Sequence, residues 1–274
     1  MKKHLTVMAI AALAAIPALG QQPTVKTDTT VTVEYSSDRY RVETAPFKAN
    51  WFVGVDGGAQ VYFGEHDKQC KFGDRLAPAL NVYVGKWFTP AIGVRLGYSG
   101  IGQKGATQDW SPTHSTGKEV PGKGGHGYWL KRQEFSFWNI HADVMFNLAN
   151  VICGYKPEGH FWNPSPFIGV GLAHVYSEEP KNSEISGNVG LNNAFRLCDA
   201  LDLNVNIHGM MVNEALDGEF GHRWGEGNLS ATVGLTYKFK PRGWDRSKVV
   251  KVVETSDISS YQLALAELKA ERER

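Results

Sequence analysis

The sequence predicts an all-β fold, an eight-stranded antiparallel up-and-down transmembrane β-barrel with a short C-terminal amphipathic helix. Three observations carry this. Eight segments between Asn50 and Phe239 alternate apolar and polar residues with period two, the connections between them alternate long and short, and the polar face holds charges that no sandwich core would bury. Composition agrees: 30 glycines and 11% aromatic residues belong to a strand-rich chain. A net charge of +1 leaves no electrostatic footprint for nucleic acid, and three cysteines in 274 residues are too few to staple the fold.

Residues 1–20, MKKHLTVMAIAALAAIPALG, join Lys2 and Lys3 to a short apolar run that ends on small residues, the pattern of a secretory signal peptide. Pro17 stops the run short of the roughly 20 apolar residues a spanning helix needs, so an exported chain of this kind enters a membrane only as a closed barrel. Residues 21–48, rich in Thr, Ser and charge, read as a polar periplasmic leader.

The barrel is assigned to residues 49–239. Its last strand is the clearest: Leu229, Ala231, Val233, Leu235, Tyr237 and Phe239 oppose Asn228, Ser230, Thr232, Gly234, Thr236 and Lys238. Leu201, Leu203, Val205 and Ile207 oppose Asp202, Asn204, Asn206 and His208 in the same way, and Ile92, Val94, Leu96 and Tyr98 oppose Gly93, Arg95, Gly97 and Ser99. The same division, less pure, runs through residues 51–63, 76–88, 134–148, 166–176 and 187–197. The gaps at 64–75, 102–133, 177–186 and 214–227 are long and polar, whereas those at 89–91 and 198–200 are tight. The gap at 154–165 is longer than this alternation wants. Short turns at one end and long loops at the other are the habit of outer-membrane barrels.

Aromatic residues gather at strand ends (Trp51, Tyr62, Phe63, Trp87, Phe88, Phe135, Trp138, Tyr176, Tyr237 and Phe239), where an interfacial belt would sit. Strand parity turns Asp56, Arg95, Asp143, Arg196, Asp202 and Lys238 inward. Three charges of each sign in a narrow lumen predict a charge-paired network that closes it.

These pieces resemble the N-terminal eight-stranded transmembrane domain of the OmpA-like outer-membrane proteins. The resemblance covers Trp51 to Phe239 and is carried by NVYVGKWFTPAIGVRLGY (81–98), DLNVNIHGMMVNE (202–214) and LSATVGLTYKF (229–239). It implies an integral barrel of a diderm outer membrane with periplasmic termini, bearing on envelope integrity and outer-surface contact. It also implies a terminal strand, through Val233, Leu235, Tyr237 and Phe239, read by the barrel assembly machinery. Outer-membrane lipid and lipopolysaccharide are the expected surroundings. Only about 35 residues follow Phe239, too few for the peptidoglycan-binding domain that often follows such a barrel. Within that tail, residues 240–274, Ile258, Tyr261, Leu265 and Leu268 predict a short helix behind Ser256 or Asp257, a candidate coiled-coil stub or site for a periplasmic partner.

No cofactor, metal or catalytic site is expected. GIGQKG (100–105) matches a dinucleotide fingerprint by letter, but no helix can follow it, and it reads as loop. His114 and His126 have no metal spacing and read as flexible surface residues. Asp109, Ser111, His114 and Ser115 offer a nucleophile, base and acid only on paper. The structural barrel is therefore preferred over two other classes, a low-conductance pore and a lipid A-modifying enzyme. Cys153 and Cys198 fall at turns of different hairpins, which disfavours the disulfide that an oxidising compartment would permit. Trp110, Tyr128 and Trp129, among the glycines of 102–133, suit a surface-binding loop without a readable code.

Overall fold

A computed structural model describes residues 27–35, 38–108, 114–120, 130–177, 180–218, 225–256 and 258–273. In chain order, β1 spans Thr27–Tyr35, β2 Trp51–Phe63, β3 Leu76–Trp87, β4 Ile92–Gln108, β5 Ser115–Glu119, β6 Leu130–Phe146 and α1 Leu148–Cys153. Then follow β7 Trp162–Val175, β8 Ser183–Arg196, β9 Leu201–Val212, β10 Glu226–Lys238, β11 Lys248–Ser256 and α2 Ile258–Arg272. They form two compact units, Thr44–Asp245, and Met1–Glu43 with Arg246–Arg274. The expected signal peptide lies outside the described residues, as do Asp109, Trp110, Ser111, His126, Tyr128, Trp129 and Asp257.

The larger unit is a closed antiparallel barrel of eight strands, β2, β3, β4, β6, β7, β8, β9 and β10, each paired with its neighbours in sequence. β10 closes it on β2, from Gly227 opposite Phe63 to Lys238 opposite Phe52. Parity falls as the alternation predicts. On β7, Ile168 and Val170 are 62% and 69% exposed, while on β6 Asn139, His141 and Asp143 are buried between outward Ile140, Ala142 and Val144. An apolar exterior around a polar interior is the reverse of a water-soluble core, and it is what a hydrocarbon solvent demands. Closure also leaves no open sheet edge within the barrel wall.

The short connections, 88–91 and 197–200, lie at the same end as the start of β2 and the finish of β10. The first is tied by Thr89, whose Oγ1 accepts from the Ala91 and Ile92 amides at 3.3 and 2.9 Å. The third connection at this end holds α1. Asn147 caps it by accepting the Asn150 amide at 3.1 Å, and Gly154 ends it at a φ of 75° that favours glycine.

Two boundaries move. β7 begins at Trp162, inside the gap expected at 154–165, where Pro164 and Pro166 obscure the strand pattern. Pairing with β6 starts only at Met145 opposite Phe167, so residues 162–166 bond to β8 alone and the prolines sacrifice no ladder bond on their free side. β4 runs on to Gln108, so GIGQKG is strand rather than loop. β3 leaves β4 at Ile101, whereas β6 follows it to Gln108 opposite Leu130. This polar extension rises beyond the apolar belt, and β5 adds to its β6 side.

In the smaller unit, β1 and β11 pair antiparallel from Thr27 opposite Ser256 to Tyr35 opposite Lys248, extended by a bridge between Val42 and Arg246. The leader and the basic tail therefore carry strands that the sequence reading did not place. Each partner stands at the other end of the chain, so neither segment shows its pairing locally. α2 forms where the spacing predicts, with Leu265 and Leu268 exposed, but its apolar positions are spread around the axis rather than gathered in one stripe.

The interior glycines serve the rings. Gly54 faces Tyr83 directly across the ladder, and a Cβ at Gly54 would lie 2.3 Å from the Tyr83 ring. Gly85 faces Phe52, Gly97 faces His141 and Gly190 faces Phe167 with similar intimacy. Each bulky inward ring thus lies flat over a glycine on the next strand. Gly54→Val should therefore destabilise the refolded barrel by about 1–3 kcal/mol, read from urea unfolding. Gly57→Ala, on the outer face with nothing near its added methyl, should leave the midpoint unchanged.

Candidate functional site in the barrel interior

Arg95 on β4 and Asp143 on β6 stand directly opposite in register, both on the inward parity. Arg95 Nε and Nη2 both donate to Asp143 Oδ2, at 2.9 and 2.6 Å, with both side chains almost wholly buried. The other carboxylate oxygen, Oδ1, is 2.9 Å from His141 Nδ1. The guanidinium lies 4.2 Å above the Phe167 ring centre and 5.1 Å from that of Tyr83, so its faces are covered by π-clouds while its edge meets the carboxylate. Desolvating both charges is costly, and the paired hydrogen bonds recover that cost only because both partners are held in place by the ladder.

Around this pair runs a belt of amides and hydroxyls. Asn139 Nδ2 donates to Asn188 Oδ1 at 2.8 Å, Ser186 Oγ donates to Asn139 Oδ1 at 2.7 Å, and His208 Nε2 meets Asn188 Oδ1 at 2.9 Å. The His141 and His208 rings are 5.0 Å apart. Toward the short-turn end, Tyr83 Oη is 2.8 Å from Thr236 Oγ1 and accepts from Asn204 Nδ2 at 2.9 Å. Apolar clusters flank the belt on both sides: Phe52, Tyr83, Met145 and Phe167 toward the short turns, and Tyr62, Phe135, Phe137, Val175, Met210, Val212 and Leu216 among others toward the long loops.

The six charges expected to form one network divide. Arg95 pairs with Asp143, and Lys238 Nζ donates to Asp202 Oδ1 at 2.7 Å. Arg196, though opposite Asp202 in register, reaches along the barrel mouth to Asp199 in the turn at 2.5 Å. That hydrogen bond in the exposed turn holds the Asp199 carboxyl below the usual carboxylate range. Asp56 is buried without a cation in bonding contact. Its Oδ1 accepts from Tyr83 Oη at 3.3 Å, and its Oδ2 has no hydrogen-bond partner among the described residues. Of the network expected from these six residues, two pairs form among them, because Arg196 sits at the strand end, where its long side chain reaches the turn. His141, His208, Tyr83 and the Asn belt were not singled out from the sequence. Their only signal was shared parity with Arg95 and Asp143.

Val233, Leu235, Tyr237 and Phe239 all lie exposed on the outer face of the barrel. Of the aromatic residues expected in an interfacial belt, Phe63, Phe88, Tyr176, Tyr237 and Phe239 are exposed. Tyr62 and Phe135 instead turn inward and pack edge to face at 5.3 Å, as their parity requires. His114 is buried against Phe135 rather than on a free surface. The catalytic set does not assemble among the described residues: Ser115 is exposed and its Oγ accepts the Gly117 amide. Cys153 and Cys198 are free and exposed. Cys70, half-buried in the first long loop, is also free, and burial pushes its thiol up.

No family model matches the chain. It is 28% identical over 209 residues to outer membrane protein 40 of Porphyromonas gingivalis, covering 71% of this chain and 48% of that protein. To outer membrane protein 41 of the same organism it is 30% identical over 158 residues, 56% of this chain and 36% of that one. The chain thus spans about half the length of the first relative and about a third of the second. Among solved structures it is similar to Neisserial surface protein A, with a TM-score of 0.42 at 10% identity, over 69% of this chain and 97% of that one. The closed eight-stranded barrel with its apolar outer face, together with the sequence likeness to two outer membrane proteins, supports an OmpA-like outer-membrane barrel.

Proposed function

We propose that the protein is a structural element of the outer membrane, with a lumen closed by its own side chains and long loops turned to the environment. The observation that carries this reading is the Arg95–Asp143–His141 layer, sealed between two apolar clusters. The space between Asn81, Tyr83, Arg95, His141 and His208 has no free volume for a water. An ion crossing this layer would have to break the buried pair or displace rings that rest on glycines. The short turns and both barrel termini share one end, which on the common pattern of such barrels faces the periplasm. The outer band meets lipid and lipopolysaccharide, and Val233, Leu235, Tyr237 and Phe239 on the closing strand offer the assembly machinery an alternating apolar edge. α2, whose described leucines are exposed, is open to a periplasmic or coiled-coil partner.

Closure is tested in planar bilayers. The parent should stay closed, and Arg95→Ala, which strands Asp143, should leak and lose about 3–5 kcal/mol of unfolding free energy. Stable, large openings of the parent protein would instead make it a pore. Incubation with lipopolysaccharide should leave the lipid mass unchanged, and a deacylated or palmitoylated product would establish an enzyme.

The edge reading has its own test. Phe239→Asp puts a charge on the lipid face near an interface, at a cost of about 1 kcal/mol to the barrel itself. A fall in outer-membrane yield far larger than that small cost explains is expected, measured by membrane fractionation. Unchanged yield would remove Phe239 from the assembly role.

A further inference from the structure

Neighbouring strands of the barrel are joined by a turn or a loop, with one exception. β10 and β2 meet with no connection between them, and the residues that flank this seam at its short-turn end, Asn50 and Gly243, stand 193 positions apart in sequence. A turn holds two strand ends together because few residues separate them, and the entropy of bringing chain segments together grows with the length between them. The closing seam has no such help.

What stands there instead is a set of bonds between the residues just before β2 and those just after β10. The Phe239 amide donates to Trp51 O at 2.9 Å, and the Asn50 amide donates to Pro241 O at 2.9 Å. The Asn50 side chain continues the pairing: its Nδ2 donates to Gly243 O at 3.3 Å, and its Oδ1 accepts from the Gly243 amide at 2.6 Å. Its carbonyl also accepts the Trp87 amide at 3.0 Å, which ties the end of β3 to the same knot. Asn50 makes these bonds at a φ of 64°, in the left-handed region that asparagine tolerates better than most side chains, and it is buried.

Both halves of the knot are fastened to the barrel. On the leader side, Lys86 Nζ donates to Ala49 O and lies between 5.4 and 5.9 Å from the ring centres of Phe47, Trp51 and Phe88. On the tail side, the Trp244 amide donates to Tyr155 Oη at 2.9 Å and the two rings meet edge to face at 5.6 Å, in the wall of the cavity at that mouth. In the smaller unit the same two stretches of chain pair again: the Ser247 amide donates to Arg41 O at 3.3 Å, Val42 bridges Arg246, and β1 runs against β11. A two-stranded ribbon is marginal by itself in water, and barrel closure is what brings the two ends of this chain close enough to pair.

We propose that leader and tail form a clasp that does for the closing seam what a turn does for each hairpin, holding the short-turn ends of β2 and β10 together from beyond the strand ends. Its halves come from opposite ends of the chain, so it fastens only after β10 has met β2, and from then on it keeps the seam from fraying. The inference is independent of whether the lumen conducts, because its test reads the seam alone.

The full chain is refolded in detergent micelles, and hydrogen exchange is followed by NMR at two amides of the same end. Phe239 bonds across the seam, and Leu197 bonds to Leu201 O across a tight turn. Asn50→Gly keeps the left-handed backbone and removes only the side-chain bonds to Gly243. Val252→Pro with Val253→Pro breaks the ribbon at a distance, since one of two adjacent amides in an antiparallel ladder faces the partner strand. Each variant should speed exchange at Phe239 about tenfold, the effect of one or two lost hydrogen bonds, and leave Leu197 at the parent rate. Removal of residues 258–274, which follow the ribbon, should change neither. Heat-modifiable electrophoretic mobility checks that each barrel has closed, and if the proline variant does not close, Asn50→Gly decides. Parent-like exchange at Phe239 in the closed variants, equal acceleration at Leu197, or the same acceleration on loss of α2 alone would each overturn the clasp.

Discussion

The pairing of β10 with β2 is the contact on which everything else depends. It joins the last barrel strand to the first over twelve residue pairs and turns an eight-stranded sheet into a cylinder with no free edge. In hydrocarbon an unpaired amide or carbonyl has no water to turn to, so an open sheet would carry a row of uncompensated groups at each edge. Closure removes that penalty at one step. It also divides the side chains into two sets that can never mix, one facing lipid and one facing an interior just wide enough for side chains to fill.

That interior is polar and tightly packed, a combination that needs both pairing and fit. Arg95 illustrates it. Its charge is balanced by Asp143, which stands opposite in the ladder, its flat faces are covered by Phe167 and Tyr83, and Asp143 is anchored on its other side by His141. The rings that do the covering fit only because glycines lie beneath them, Gly54 under Tyr83 and Gly190 under Phe167. A glycine-rich sheet would ordinarily be weak, since each glycine loses more backbone entropy on folding. Here the missing side chains are the space into which the neighbouring strand places its aromatic residue, so abundant glycine and abundant aromatic residues are two halves of one packing solution.

The two ends of the cylinder differ in kind. Toward the long loops the interior is capped by an apolar cluster around Tyr62, Phe137 and Leu216. Toward the short turns the packing stops at Phe52 and Tyr83, and the space beyond is walled by segments outside the barrel strands, Tyr155 to His160 and Arg242 to Trp244. Asymmetry of this sort follows from loop length. Long loops fold back with their own side chains, as Leu216 does, whereas tight turns such as 88–91 are too short to fold back over the lumen.

The sequence by itself determined the strand count, the face of nearly every residue and the rhythm of turns. Period-two alternation and turn residues are local signals, and a closed barrel obeys them over its whole length. The inward position of Arg95, Asp143, Asp202 and Lys238 and the outward position of Val233, Leu235 and Tyr237 were all legible from parity. Depth and partnership were not. Whether Arg196 meets Asp202 or Asp199 depends on how far along the axis its guanidinium can reach, and parity is silent on that. The strand character of GIGQKG and of the stretch around Pro164 and Pro166 comes from which neighbour each segment borders, and the β1–β11 pair joins the two extremities of the chain. The cavity at the short-turn mouth belongs wholly to the tertiary structure. Asn192, Asn204 and Trp244 come from separate strands and a tail, and only closure of the cylinder brings them around one space.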